Sequence, residues 1–330
     1  MTNIKRMLVA VKDLSARSNP AVLKAAQLAR ACGAELELFH CLTTPMYADL
    51  YALSGKGLSG VESDLRQNAI RKLDRVADRL RQHSLKVNVA VAWDFPSFEA
   101  IIRRATHIKA DLIVVTRHAG RHTTPWLLRL TDWELVRLSP IPVLLVKNPH
   151  PYRHPVVLAA VDPAHAFAKP LRLDRDLIGL GQYLSEKLRG TLHAVHAYAR
   201  LPMAALQQEG MSPALLQEIA QQAERTAQAS FKQVLADAPV PQSRRHLIGQ
   251  HPIDAISTAA RKSRSAIVIM GAISRSGFRN LLIGNTAERI LDELSCDILV
   301  VKPASFPNRV RRSARGPRLL LSAAMGSLGY

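Results

Sequence analysis

An internal repeat constrains this chain more than any other feature. ADLIVVTRHAGR (110–121) is answered by SAIVIMGAISR (265–275), and PIPVLLVK (140–147) by SCDILVVK (295–302). FPSFEAIIRRA (95–105) matches HPIDAISTAA (251–260), and MLVAV (7–11) matches VLAAV (157–161). The matches run in the same order, about 150 residues apart, so one unit is written twice. A chain of 330 residues holds two domains of ordinary size, and both must adopt the same fold.

Within each copy the apolar period alternates between strand and helix. RMLVAV suits a buried parallel strand, and Pro20–Cys32 sets Val22, Leu23, Ala26, Leu28 and Ala29 at helical spacing before Gly33. ELELFHCL, KVNVAVAW, DLIVVT and VLLVK follow as strands, separated by helices over 61–83, from Pro96, and ahead of VLLVK. The second copy reads VVLAAV, helix 174–189, TLHAVHAYA, helix 213–236, RRHLIGQ, helix 252–262, AIVIMG, helix 284–293 and DILVVK. Strands alternating with helices form parallel βαβ units with helices on both faces, which predicts an α/β chain of two tandem doubly wound domains. The expected boundaries are 1–148 and 155–303, with a Pro-rich linker at 149–154. Residues 304–330 have no partner in the first copy. From 303 onward there are five arginines and no acidic residue, so this end reads as an appended, disordered tail. Its RVRRSAR stretch favours an anionic surface, and LLLSAAMGSLGY is too short to span a bilayer.

Three cysteines without a CxxC encode neither a disulfide framework nor a zinc site. Each lies among apolar residues and reads as a small hydrophobe in a reducing compartment. Charges at Lys5, Arg6, Lys12, Asp13 and Arg17 interrupt the first twenty residues, so a signal peptide is not expected, and the protein reads as cytoplasmic. The excess of 45 basic over 26 acidic residues, net +19, attracts nucleic acid, anionic lipid or polyphosphate without choosing among them.

After the strand AIVIM comes GAISRSGFRNLLIGNTAERILDELSCDILVVK, with a glycine, a basic serine turn and a second glycine before a helix. Together with the histidines of LFH (38–40) and AVH (194–196), this resembles the phosphate-binding signature of the universal stress proteins, across about 5–148 and 155–303. The resemblance implies five-stranded parallel sheets in the order 3-2-1-4-5. It also implies pairing through the last strand of each domain as an intrachain pseudo-dimer, with further pairing to a homodimer of pseudo-dimers left open. It implies a protein that supports resistance to starvation, oxidative stress and DNA damage by binding, with ATP the candidate ligand and no metal site of its own. Carried over residue by residue, Asp162 at the end of the first strand would hold the adenosine side, beside Ala160, Val161 and Ala197. The phosphates would meet backbone N–H groups from Gly271 to Arg275 and from Gly284 to Thr286, at a helix N-terminus that favours anions. Ser274 replaces the family's second glycine, and Asn285 its usual hydroxyl residue. A serine there is strained if the turn needs positive φ.

The first copy lacks the cradle. In the sequence match Gly271 falls on Arg117 and Gly284 on Arg129, Gly120 stands opposite Ser274, and Lys12 or Asp13 meets Asp162. Trp126 and Trp133 read as packing residues. His118 and His122 lack a third ligand, and GLGQ (179–182) lies inside a helix and not after a strand. Three function classes stay open at this point: a binding protein with ATP in the second copy, a slow ATPase at the 271–286 loop, and a carrier of a lipid or metabolite in an apolar pocket. No carboxylate or histidine is evidently placed to activate water near the loop, which argues against the second.

Overall fold

The structure, a computed structural model, describes residues 3–16, 18–43, 46–47, 57–117, 126–163, 172–198, 211–272, 290–316 and 319–320. The chain divides into two compact units. Ile4–Pro151 with Pro307–Tyr330 makes the first, and Met1–Asn3 with Tyr152–Phe306 makes the second.

The first domain runs β1 (Arg6–Ala10), α1 (Pro20–Cys32), β2 (Glu35–Leu42), a short β3 (Met46–Tyr47), α2 (Gly57–Arg81), β4 (Val87–Trp93), α3 (Ser97–His107), β5 (Leu112–Thr116), α4 (Trp126–Leu138) and β6 (Val143–Val146). Its main strands lie in the order β4-β2-β1-β5-β6 and pair in parallel. The second domain runs β7 (Val156–Val161), α5 (Arg172–Lys187), β8 (Thr191–Ala197), α6 (Pro213–Val234), β9 (Arg245–Ile248), α7 (Pro252–Ser263), β10 (Ile267–Gly271) and β11 (Asp297–Val301). Its strands lie in the order β9-β8-β7-β10-β11, also parallel. Numbered within each copy, both orders are 3-2-1-4-5.

The central strands explain why their sequences read as unbroken apolar runs. Met7, Leu8 and Val9, and likewise Ile267, Val268 and Ile269, are wholly buried, because helices cover both faces. Each such side chain contributes about 1.5–3 kcal/mol by leaving water. At the margin of the second sheet β9 is half-buried throughout, and its sequence, RHLI, is correspondingly mixed. Local signals set the helix ends. Asn19 caps α1 by accepting from Val22 N–H at 3.3 Å, Pro20 opens it, and Gly33 at φ 69° closes it. Leu23, placed with the helix's apolar positions in the sequence, points to solvent instead. GLGQ lies inside α5, where Gly181 lets the helix approach β8: a Cβ there would stand 2.8 Å from Leu192 Cδ1.

Two segments carry contacts that the sequence did not show. The Pro-rich linker is anchored at Tyr152, which is buried and donates its hydroxyl to Asp297 Oδ2 at 2.6 Å. The tail is not free over Asn308–Gly316. It hydrogen-bonds to the first domain, and β12 (Leu319–Leu320) pairs in parallel with β3. Composition misjudged it because the partners are charges and amides, not apolar surface. Among the described residues no helix is long and apolar enough to cross a membrane.

Candidate functional site

Parallel strands send all their C-termini to one edge of the sheet. In each domain the first strand lies between the second and the fourth, so the connections run to opposite sides of it, and doubly wound sheets take their ligands in the crevice at that edge. In the second domain the crevice lies between β7 and β10. Ala160 and Val161 end β7, Asp162 follows directly, Ala197 ends β8 and Gly271 ends β10. The structure therefore brings these five residues to one edge. Ser274, Arg275, Gly284, Asn285 and Thr286 lie outside the described residues, as do His118, Gly120 and His122.

Local contacts fix the crevice. Asp162 N–H donates to Asp174 Oδ1 at 3.1 Å, and Asp174 is buried in the first turn of α5, where a carboxylate is favoured by the helix dipole. Sequence reasoning missed Asp174; its signal was an acidic residue at the start of an amphipathic helix. His196 Nδ1 meets Val161 O at 3.3 Å, and in the first domain His40 Nδ1 meets Val11 O at 2.7 Å. A carbonyl only accepts, so both rings carry their proton on Nδ1. Burial pushes His40 below its ordinary value. The paired histidines thus hold the end of the first strand in each copy.

Strand register corrects the sequence match by one residue. Met7 pairs with Leu112 as Val157 pairs with Ile267, and Thr116 pairs with Val146 as Gly271 pairs with Val301. The counterpart of Gly271 is therefore Thr116, not Arg117, and that of Asp162 is Lys12. Thr116 Oγ1 accepts from Ala21 N–H at 3.1 Å and donates to Asn19 Oδ1 at 3.2 Å, so it ties β5 to the start of α1. Gly271 has another use: a Cβ there would stand 2.8 Å from Leu173 Cδ2, so its missing side chain admits α5. Ala272 N–H donates to Val301 O at 3.1 Å, so it is not a phosphate donor, and any cradle starts beyond it.

The first domain places charged and aromatic side chains at the same edge. Lys12 is paired with Asp132 on α4, their side chains 10% and 4% exposed, and the Arg117 guanidinium lies 5.3 Å over the Trp133 ring. Ala10 is buried, whereas its counterpart Ala160 is half-exposed. Burial pushes the Cys41 thiol up to about 12, which disfavours the thiolate. Among the described residues no group of three or more His, Cys, Asp or Glu is arranged to hold a metal. An open groove of about 750 Å³ runs along α6, lined by Tyr198, Leu215, Glu218, Ile219, Gln222 and Arg225, too mixed and open to enclose an apolar ligand.

The model of the universal stress protein family matches residues 3–147 and again 175–302. The chain is 25% identical over 316 residues to Universal stress protein E of Escherichia coli K12, covering 94% of this chain and 98% of that protein. It is 26% identical over 266 residues to a Universal stress protein E homolog of Haemophilus influenzae, covering 77% and 83%. The crystal structure of a universal stress protein from Pseudomonas aeruginosa UCBPP-PA14 shares the fold, at TM-score 0.69 and 22% identity, covering 92% of this chain and 95% of that one. With the family's model matched twice and both sheets in one strand order, the chain belongs to the universal stress protein family.

Proposed function

We propose that the chain supports stress resistance by binding, and that its second domain takes an adenine nucleotide at the β7–β10 crevice. The observation that carries this reading is the contrast between the copies. The second has Asp162, a partly exposed Ala160 and Gly271 at this edge, where the first has Lys12 paired with Asp132, a buried Ala10 and Thr116. In this reading the Asp162 carboxylate receives the ribose hydroxyls, with its backbone held by Asp174. Ala160, Val161 and Ala197 flank the base. The segment from Ser274 through Arg275 to Gly284, Asn285 and Thr286 supplies N–H groups and one cation to the phosphates, which a helix N-terminus favours.

Binding is the whole of the proposed activity, because no group at the described edge is set to activate water. Titration calorimetry of ATP into the full chain is expected to give saturable heat that disappears in Asp162→Ala and in Gly284→Trp. No heat up to millimolar ATP would overturn the reading. Single-turnover ATP consumption lost in Asp162→Ala would replace binding with catalysis.

A further inference from the structure

The strongest unexplained constellation lies at the C-terminal ends of β2 and β4 in the first domain. Asp94 follows β4 and is buried, yet it gathers more donors than its own turn requires. Its Oδ1 accepts from Phe95 N–H at 2.9 Å and from two tail amides, Arg315 N–H at 3.0 Å and Gly316 N–H at 3.1 Å. Its Oδ2 pairs with the Arg103 guanidinium. Arg103 in turn donates through Nε to Arg311 O at 2.8 Å. Glu99 takes the Arg315 guanidinium in a two-pronged contact, Nε to Oε2 at 3.0 Å and Nη2 to Oε1 at 2.7 Å. Asn308 Nδ2 reaches Thr106 Oγ1 at 3.2 Å, and Leu319–Leu320 continue beside Met46–Tyr47.

The second domain does not repeat this arrangement. Helix caps Pro96 and His251, and left-handed Lys109 and Arg264, set the correspondence of α3 with α7. The turn before α7, Gly249-Gln250-His251, offers no carboxylate, and Arg103 is answered by Thr258. Only Glu99 keeps an acidic counterpart, Asp254. The fold itself therefore does not need Asp94 and Arg103. They read main-chain N–H and C=O groups of a non-helical segment, and Glu99 reads one arginine. That is recognition of a peptide, not of a folded face.

We infer that the first domain is a docking module for an arginine-bearing peptide, and that the chain's own segment Asn308–Gly316 occupies it as an autoinhibitory strap. The dock sits on the edge of the sheet where doubly wound folds take ligands, so the copy that has closed its crevice uses that edge for a polypeptide. A tethered segment acts at about millimolar effective concentration, which keeps even a weak dock closed in the resting chain.

The test uses the full chain and a labelled peptide of sequence 308–318. Gly316→Pro releases the strap while leaving the dock intact: it removes the amide that meets Asp94, and proline cannot adopt the φ of 78° found there. Fluorescence anisotropy is expected to show the peptide binding the Gly316→Pro chain at least ~10-fold more tightly than the wild-type chain, whose dock is filled. Adding Asp94→Ala to Gly316→Pro is expected to abolish that binding. Hydrogen exchange supplies an independent readout: the Arg315 and Gly316 amides are expected to be protected in the wild type and to lose protection in Arg315→Ala, an exposed and structurally harmless change. Equal peptide affinity for wild type and Gly316→Pro, no binding to Gly316→Pro, equal binding of a scrambled peptide, or tail amides exchanging at free-peptide rates would each overturn the inference. So would a tail that reaches the dock of a second copy, seen as a concentration-dependent dimer that Asp94→Ala dissolves.

Discussion

Removing Asp132 tests whether the first domain has exchanged a ligand crevice for a structural ion pair. Lys12 stands where the second domain has Asp162, and its ammonium is 10% exposed against an Asp132 carboxylate 4% exposed. Asp132→Ala removes the carboxylate paired with Lys12 in a site that excludes most water. Breaking a buried pair from one side costs about 3–5 kcal/mol, because the remaining charge keeps its desolvation penalty and loses the carboxylate's attraction. For a domain of this size each kcal/mol moves the midpoint by about 2–4 °C, so the first domain's transition should fall by about 6–20 °C. The double variant Lys12→Met with Asp132→Leu removes both charges and fills similar volume. It is expected to return to within about 1 kcal/mol of wild type, or to exceed it. Differential scanning calorimetry of the three chains makes the comparison. A shift under about 1 kcal/mol in Asp132→Ala, or a double variant as unstable as the single one, would refute a buried ion pair as the filling of the crevice.

Three further outcomes follow from the geometry. Tyr152→Phe deletes the donor to buried Asp297 and is expected to cost about 1.5–3 kcal/mol, read as a lower denaturant midpoint at unchanged slope; an unchanged midpoint would show that the linker is not anchored there. His193 stacks on His246 with Nδ1 and Nε2 3.0 Å apart, and burial, His246 and Arg244 push it down to about 4. Because the folded value lies below the unfolded one, its contribution to stability is present above pH 6.5 and is lost as the pH falls toward 4; an NMR titration midpoint near the ordinary imidazole value would contradict this. Gly271→Ala meets only the flexible end of Leu173 and is expected to cost under about 1 kcal/mol, whereas Gly271→Val overpacks α5 and should cost about 1–3 kcal/mol by chemical denaturation. Equal costs for the two would mean that Leu173 does not set the limit.

The repeat and its alternating periods made two parallel, doubly wound domains legible, because strands covered on both faces must be apolar throughout, as MLVAV, DLIVV and AIVIM are; the strand order itself came from the family resemblance. The crevice was legible only in part. Asp162 stood out at a strand end, but Asp174 acts through a backbone amide, and such contacts leave no spacing in a sequence. Gly271 carries a second role that the sequence did not show: a glycine at a strand end suggests a phosphate turn, and here it also makes room for a leucine. The one-residue slip that put Gly271 on Arg117 arose because both strands read as apolar runs that slide past each other, and only the hydrogen-bonded register fixed Thr116. The dock for the tail was illegible because Asp94 and Arg103 recognise main-chain atoms, which every residue carries.

The two copies are proposed to have diverged into one nucleotide site and one peptide dock. Native mass spectrometry of the full chain titrated with ATP counts the sites directly. The expected result is a single added nucleotide per chain at saturation, lost in Asp162→Ala and retained in Lys12→Met/Asp132→Leu. Two nucleotides per chain, or one that survives Asp162→Ala, would contradict it.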